Sequence, residues 1–568
     1  RDWHALLEWM ISRVVPYPLL LRLWTAARAE LDPAGGDEDD RGRADDDLLE
    51  QIALEVARHL LRLGADQHVE LVRAFEHLAA SPSPEMNAWA AVLRAQLEVA
   101  AGRFERADVL LDVSPAVQDG LLAAEQQLTR AAVLRWRGEL EAASSIVERL
   151  SDGRSDPVDA DSTHASRAVV AKTAVWAGLI AKDRGDLAAA ITALDVAVDN
   201  DDLLRARLAF QRGDVLLRLG RFDTAARELD TAIQAAGRSG ALAQERARYL
   251  ARRGTLRRHM GEVSLSRADF AAARDAVTNS ELTDLDLDFA LAKVADEGSY
   301  TLLADGAFEE AIVANTTALA NFRAYQDKRD VNAGFRIARS SLRLAVAYAF
   351  RGFALPYRRP LPAFRPDGTG PDLRHAIAAM DDLIADIGSP STSLVASTSA
   401  IDGLLAEARL LTSLVSPDGE HALRHADAAL EAAIYRYQRA KAQSGRIGAL
   451  LTLGRTSDAL RAIEQGEDDL QASRPPVASR REPQDGTERG DLSLAAQFAV
   501  YRAGAQLAAG DQTSAAEAVW LVLDDVTLTP FHEAALRAFG EAAELLGRDG
   551  GWKRHRHLRN LLGVNGTG

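Results

Sequence analysis

Cysteine is absent from the 568 residues. Its absence excludes disulfide staples, a cysteine nucleophile, thiolate zinc sites and iron–sulfur clusters. Aromatic side chains make up only 6% of the chain, and no proline occurs between Pro157 and Pro356. A proline inside a helix costs about 3 kcal/mol, so this long stretch is open to helix throughout. Uninterrupted apolar runs are missing too. The most apolar early stretch, Trp9 to Trp24, is broken by Arg13, Pro16, Pro18 and Arg22, short of the roughly 20 apolar residues a membrane span requires. With neither cysteine nor an export signal, the expected compartment is the cytoplasm, with no membrane as partner. Basic residues are outnumbered: 83 Asp and Glu against 67 Lys and Arg give a net charge of −16. Such a chain repels duplex phosphate unless its cations are segregated, so nucleic acid is not the expected partner.

Chemistry-bearing motifs are missing in the same way. The chain has no Gly-Lys pair for a phosphate loop, no GxGxxG after a strand, no GxSxG serine elbow and no HExxH. His532-Glu533 opens like a zinc-protease helix, but Leu536 stands where the second histidine belongs. His421 and His425 lie four apart, a spacing that lets two imidazoles share a metal, with no third ligand placed by the sequence. Acidic residues are abundant but nothing pairs two of them. No enzyme activity, metal or cofactor is expected.

What is present is a helix-forming composition. Apolar residues reach 47%, Ala, Leu, Arg and Glu dominate the proline-free stretch, and β-branched alternation is never sustained. An all-α chain follows. Loop composition marks 35–47 as an acidic linker, 355–371 as a Pro/Arg-rich loop carrying Arg358, Arg359 and Arg365, and 151–163 and 473–491 as further loops. The expected organisation is a helical cap or join to a preceding domain at 1–34, anchored by Trp3, Trp9 and Trp24. Helical hairpins then fill 48–354, more degenerate ones 372–547, and a basic tail 548–568.

One phrase recurs. Gly102, Gly138, Gly185, Gly220 and Gly306 are each followed two residues later by a large apolar residue (Phe104, Leu140, Leu187, Phe222, Phe308) and five later by alanine (Ala107, Ala143, Ala190, Ala225, Ala311). Seven residues earlier stands a small residue: Ala95, Ala131, Gly178, Gly213, Ser299. Gly254 has the same relation to Gly261, although two extra residues then precede Ala268; Gly454 with Ala459 and Gly510 with Ala515 are weaker matches. The second glycine ends a helix in a left-handed turn that is cheap only without a Cβ. The small residues sit where two antiparallel helices touch, and Leu194 or Leu229 continue the buried stripe at helical spacing.

This pattern resembles the tetratricopeptide repeat (TPR), a helix–turn–helix unit of 34 residues. The resemblance is good over residues 85–325 and thin over 375–545, with units starting near Ala88, Ala124, Ala171, Ala206, Ala247 and Ala292. The irregular spacing is similar to that of the helical arms of signal-transduction ATPases with numerous domains (the STAND class), frequent in actinobacterial regulators; 61 Arg against 6 Lys suits a GC-rich genome. The resemblance implies a right-handed α-α superhelix whose first helices line a concave face. It also implies a non-enzymatic scaffold that binds a protein segment, as the sensor or partner arm of a signalling, transcription-regulatory or defence system. The start at Arg1 fits an upstream nucleotide-binding or effector domain.

Within the units, position 2 is Lys172, Arg207, Arg248 and Lys293, and position 12 or 13 is Lys182, Arg218 and Arg258. Positions 2 and 13 are about 20° apart after whole turns, so they share one helix face, with position 12 about 80° off on its shoulder. Such a cationic ladder would attract an acidic peptide, a terminal carboxylate or a phosphate. A carboxylate clamp for chaperone tails also needs Asn at position 6, where this chain has Trp176, Gln211, Arg252 and Glu297. The competing reading is that the cations are balanced by Glu245, Asp183 and Asp214. Arg336, Arg339 and Arg343 either extend the groove or pair with Asp327 and Asp330. An alternative function is anion or nucleic-acid binding by the groove together with Lys553, Arg554, His555, Arg556, His557 and Arg559 beside Trp552.

Overall fold

The computed structural model describes most of residues 3–518; outside the described residues lie 13–16, 32–42, 64–68, 114–119, 153–163, 355–370, 389–397, 473–491, a few shorter stretches, and everything after 518. Most of the linker at 35–47, the loops at 355–371 and 473–491, His532-Glu533 and the basic C-terminal cluster therefore fall outside the described residues. Every regular element among the described residues is an α-helix. The N-terminal helices are α1 (Trp3–Ser12) and α2 (Tyr17–Leu31). Successive helix pairs follow: α3 (Arg43–Leu63) with α4 (Val69–Ala80), α5 (Pro84–Ala100) with α6 (Phe104–Val113), α7 (Gly120–Trp136) with α8 (Leu140–Asp152), α9 (His164–Asp183) with α10 (Leu187–Leu194), and α11 (Asp202–Arg218) with α12 (Phe222–Ser239). Then come α13 (Ala243–His259) with α14 (Val263–Thr278), α15 (Asp284–Ala304) with α16 (Phe308–Arg329), α17 (Gly334–Ala354) with α18 (Pro371–Gly388), α19 (Thr398–Val415) with α20 (Gly419–Glu431), α21 (Arg436–Thr452) with α22 (Thr456–Ala472), and α23 (Leu492–Ala508). None of the described helices is long and apolar enough to cross a membrane.

The hairpins are built by the glycines. Gly102, Gly138, Gly185, Gly220, Gly261, Gly306, Gly454 and Gly510 all have positive φ, between 70° and 82°. The first seven close the same double hydrogen bond. At the first, the Gly102 N–H donates to the Val99 carbonyl at 3.0 Å and the Arg103 N–H to the Glu98 carbonyl at 2.8 Å, which satisfies carbonyls that a helix end otherwise strands. Where two helices of a hairpin cross, the small residues are required by contact. A Cβ added at Gly178 would sit 2.5 Å from Leu194, one at Gly213 2.9 Å from Leu229, and one at Gly254 2.8 Å from the Phe270 ring. The facing alanines Ala107, Ala143, Ala190, Ala225, Ala311 and Ala459 are fully buried.

One expectation is corrected. After Gly261 there is no two-residue insertion: α14 starts at Val263, two residues on as in the other units, and Ala268 is exposed. Ser266 takes the alanine position and is fully buried. Its hydroxyl lies 2.7 Å from the Gly254 carbonyl and 2.8 Å from Thr301 Oγ1, so a polar side chain is tolerated because it is satisfied.

The layers of the stack are unequal. First helices of successive hairpins pack on one another, α7 on α9, α13 on α15 and α19 on α21, whereas second helices make no comparable contact. Elements that pack both within and between hairpins lie on the inside of a curved stack, so the first helices form the concave wall of the solenoid. At the N-terminal end, Trp3 and Trp24 are buried in one core with Leu49, Ile52, Trp89 and Phe104; the Trp9 side chain lies outside the described set. Further along, the coil brings distant units together. Tyr437 of α21 meets Phe222 of α12 edge-on at 6.4 Å, and one core joins α11–α13 to α20–α23.

Two glycine substitutions separate the causes. Gly454 has φ +70 and nothing within 4 Å of an added Cβ, so Gly454→Ala carries only backbone strain, about 1–2 kcal/mol. Gly254→Leu must instead drive α13 off Phe270, with overpacking of about 3 kcal/mol. Denaturant unfolding is expected to rank Gly254→Leu as the more damaging; equal losses would contradict the close crossing.

Candidate binding groove

The concave wall carries charge in a graded way. Near its start, Glu125 of α7 accepts from Lys172 Nζ of α9 at 2.6 Å and from Gln96 Nε2 of α5 at 3.0 Å. Burial works to raise the Glu125 pKa, yet the Lys172 attraction and hydrogen bond outweigh it and the pKa is lowered. In the next units Asp214 of α11 is a hub. Lys182 Nζ lies 3.1 Å from it, Arg218 Nε 3.4 Å, and the Arg252 guanidinium also pairs with it. Burial opposes the charged carboxylate, but Arg252, Lys182 and Arg218 together hold it well below the usual range. Burial also pushes Lys182 down, to about 8, against the pull of Asp214. Arg135 and Asp183 pair at 2.7 Å, and Arg207 binds Glu245 at 2.7 Å.

The pattern changes around α13, α15 and α17. Asp296 of α15 is fully buried and accepts from Arg339 at 2.8 Å and from Arg343 at 2.5 Å. These arginines therefore pair across helices with Asp296, and not with Asp327; Asp330 lies outside the described residues. One turn on, the Tyr300 hydroxyl donates to Glu407 of α19 at 2.9 Å, and burial, then that carboxylate, pushes the phenol pKa well above its ordinary value. Arg258 and Arg343 lie over the Tyr300 ring at 5.5 and 5.2 Å. Lys293 sits over Phe289 at 4.2 Å, with Arg336 over the same ring at 5.8 Å; Arg248 covers Phe210 at 4.6 Å.

The seven ladder cations thus fall into two groups. Lys172, Lys182, Arg207 and Arg218 are engaged by Glu125, Asp214 and Glu245. Arg248, Arg258 and Lys293 lie against aromatic rings. Among the described residues, Arg248 and Arg336 make no ion pair. Arg248 is exposed and Arg336 half-buried. Burial, then Arg339, lowers the Arg336 pKa to about 10, with Glu297 and Asp296 opposing the shift and Arg248 adding to the repulsion. A cation under repulsion from its neighbours gains when an anion arrives. The wall there offers donors for a carboxylate and flat rings for the adjoining chain.

Asp296, Phe289 and Tyr300 were not recoverable as site residues from the repeat pattern, since nothing in it distinguishes an inward acid or ring from a core position.

No family model matches the chain, and no curated protein matches it. Among solved structures it is similar to a Rap protein complexed with competence and sporulation factor, at 11% identity and a TM-score of 0.46, over 69% of this chain and 99% of that one. It is also similar to yeast Tom70, at 11% and 0.29 over 91% of this chain and 98% of that one. The TPR domain of P58(IPK) aligns at 17% and 0.17, over 74% of this chain and 99% of that one. The fold class, an all-α solenoid of TPR-like antiparallel hairpins, is defined by the glycine turns and the two layers themselves.

Proposed function

We propose that this chain is a non-enzymatic scaffold that holds an acidic, extended protein segment in its concave groove. The observation that carries the reading is the pair Arg248 and Arg336, two inward cations without a carboxylate partner among the described residues, beside Phe210 and Phe289. Earlier along the wall Lys172, Lys182 and Arg207 meet acids from neighbouring helices, whereas Glu297 and Asp296 act on Arg336 only without an ion pair. We place the chain as the sensor or partner-binding arm of a cytoplasmic regulatory or defence assembly, with a nucleotide-binding or effector domain as its companion. That setting is supported by the resemblance to STAND-class arms alone, since a fold does not dictate a function.

Selection of a random peptide library on the full chain tests the ligand class. Asp/Glu-rich sequences are expected to be enriched, with affinity that weakens modestly as salt rises. Enrichment of basic or purely apolar peptides would overturn the proposal. Preferential binding of an oligonucleotide, with a steep salt dependence reporting several phosphate contacts, would make nucleic acid the ligand instead.

A further inference from the structure

The outer layer holds a cluster unrelated to the groove. His421 and His425 lie one turn apart on α20, with ring centroids 4.5 Å apart. Asp381 comes from α18, the second helix of the preceding hairpin. Its Oδ2 lies 3.5 Å from His421 Nε2 and its Oδ1 3.6 Å from His425 Nε2. The three donor atoms all fall within 4.8 Å of one another. We propose that Asp381, His421 and His425 form a binding site for a divalent transition metal of the zinc type, clipping together the outer helices of two successive hairpins.

Geometry favours a metal over direct pairing. The two Asp381–His separations exceed the roughly 2.7–3.2 Å of a hydrogen bond. Each runs to a different carboxylate oxygen, and both are near the roughly 3.3 Å spacing of ligand atoms around an ion with bonds of about 2.0–2.1 Å, so a small turn of the carboxylate brings one oxygen to an ion shared with both imidazoles. Asp381 Oδ1 is buried at the atom level and has no hydrogen-bond partner, a deficit that a bound ion removes. The outer shell is also in place. The Ser416 hydroxyl donates to the Asp418 carbonyl at 3.2 Å, so its Oγ accepts from His421 Nδ1–H at 3.0 Å. That hydrogen bond favours the tautomer that leaves the Nε2 lone pair available to an ion, as in metal-bound imidazole. The residues remain reachable, with side-chain exposures of 23% for His421, 19% for His425 and 39% for Asp381. Arg409 and Arg424 bring positive potential to His425. They disfavour every cation held by charge alone, so selectivity for a zinc-type ion rests on its bonds to the two imidazole nitrogens. Three protein ligands leave the fourth position for water.

Equilibrium dialysis of the full chain against zinc, followed by metal analysis, reads the site. The unaltered chain is expected to retain one zinc, and its melting temperature to rise on adding the metal. His425→Ala and the isosteric Asp381→Asn are each expected to weaken zinc binding at least about tenfold and to abolish the shift in melting temperature. Ser416→Ala, which touches no metal, is expected to weaken it about 10–100-fold. Helix content by circular dichroism identifies any variant that has failed to fold, and the isosteric variant then carries the comparison. No retained zinc in the unaltered chain, or equal zinc in it and in both ligand variants, would overturn the proposal.

Discussion

Reversing Arg248 and Arg336 together, as Arg248→Glu with Arg336→Glu, is expected to lower affinity for a selected acidic peptide by at least about 100-fold. A charge-assisted hydrogen bond contributes about 1.5–3 kcal/mol, and about 2.7 kcal/mol corresponds to that factor. Each reversal also sets a repulsive charge against the ligand. Neither arginine holds an ion pair among the described residues, but Arg336 is half-buried near Glu297 and Asp296, so circular dichroism first establishes that the double variant is folded. Arg246→Glu is the control for net charge: Arg246 is exposed on the same helix, about 200° around from Arg248. It is expected to change affinity less than about threefold. Isothermal titration of the three proteins decides the matter, and equal losses in the double variant and the control would show that only overall charge counts.

Asp296→Ala is expected to destabilise the middle of the solenoid by about 3–5 kcal/mol, because it leaves two inward arginines without their shared counter-charge. The carboxylate is fully buried and accepts from both Arg339 and Arg343. Among the described residues no other carboxylate pairs with both arginines: Glu297 lies 3.7 Å from Arg339 alone. Replacing the whole cluster is a different change. Asp296→Leu with Arg339→Met and Arg343→Met removes charge and counter-charge together and is expected to recover most of the loss. Because each hairpin touches mainly its neighbours, the loss is local, and hydrogen exchange of α15 and α17 is the measurement that resolves it. A loss under about 1 kcal/mol would mean that Asp296 does not organise the wall.

Most of the local rules of the hairpin were legible in the sequence. All eight glycines singled out by spacing adopt the left-handed turn, and Gly178, Gly213 and Gly254 each lie at a close helix crossing, as the spacing implied. The failure at Ala268 is instructive. A rule written in residue types missed that Ser266 fills the same volume and satisfies its hydroxyl on Gly254 and Thr301. The turn into α20 was also missed, since it uses Asp418 as a cap in place of a glycine, its side chain accepting from the Glu420 N–H at 2.9 Å.

The wall was legible only in part. Helical phase put Lys172, Arg207, Arg248, Lys293 and Arg218 on one face with Lys182 and Arg258 on its shoulder, and Glu245 and Asp214 were visible as partners. What a repeat cannot encode is the curvature that sums small rotations over many units. That curvature brings Tyr300 to Glu407 and Phe222 to Tyr437, and it decides which cations meet an acid and which meet a ring. The same limit hid Asp381, which reaches His421 and His425 only through packing of separate hairpins.

Hydrogen exchange of the full chain, with and without a selected acidic peptide, tests the central claim most directly. The account predicts new protection in α13, α15 and α17, with α14, α16 and α18 unchanged. Protection confined to those outer helices, with none along the inner wall, would contradict it.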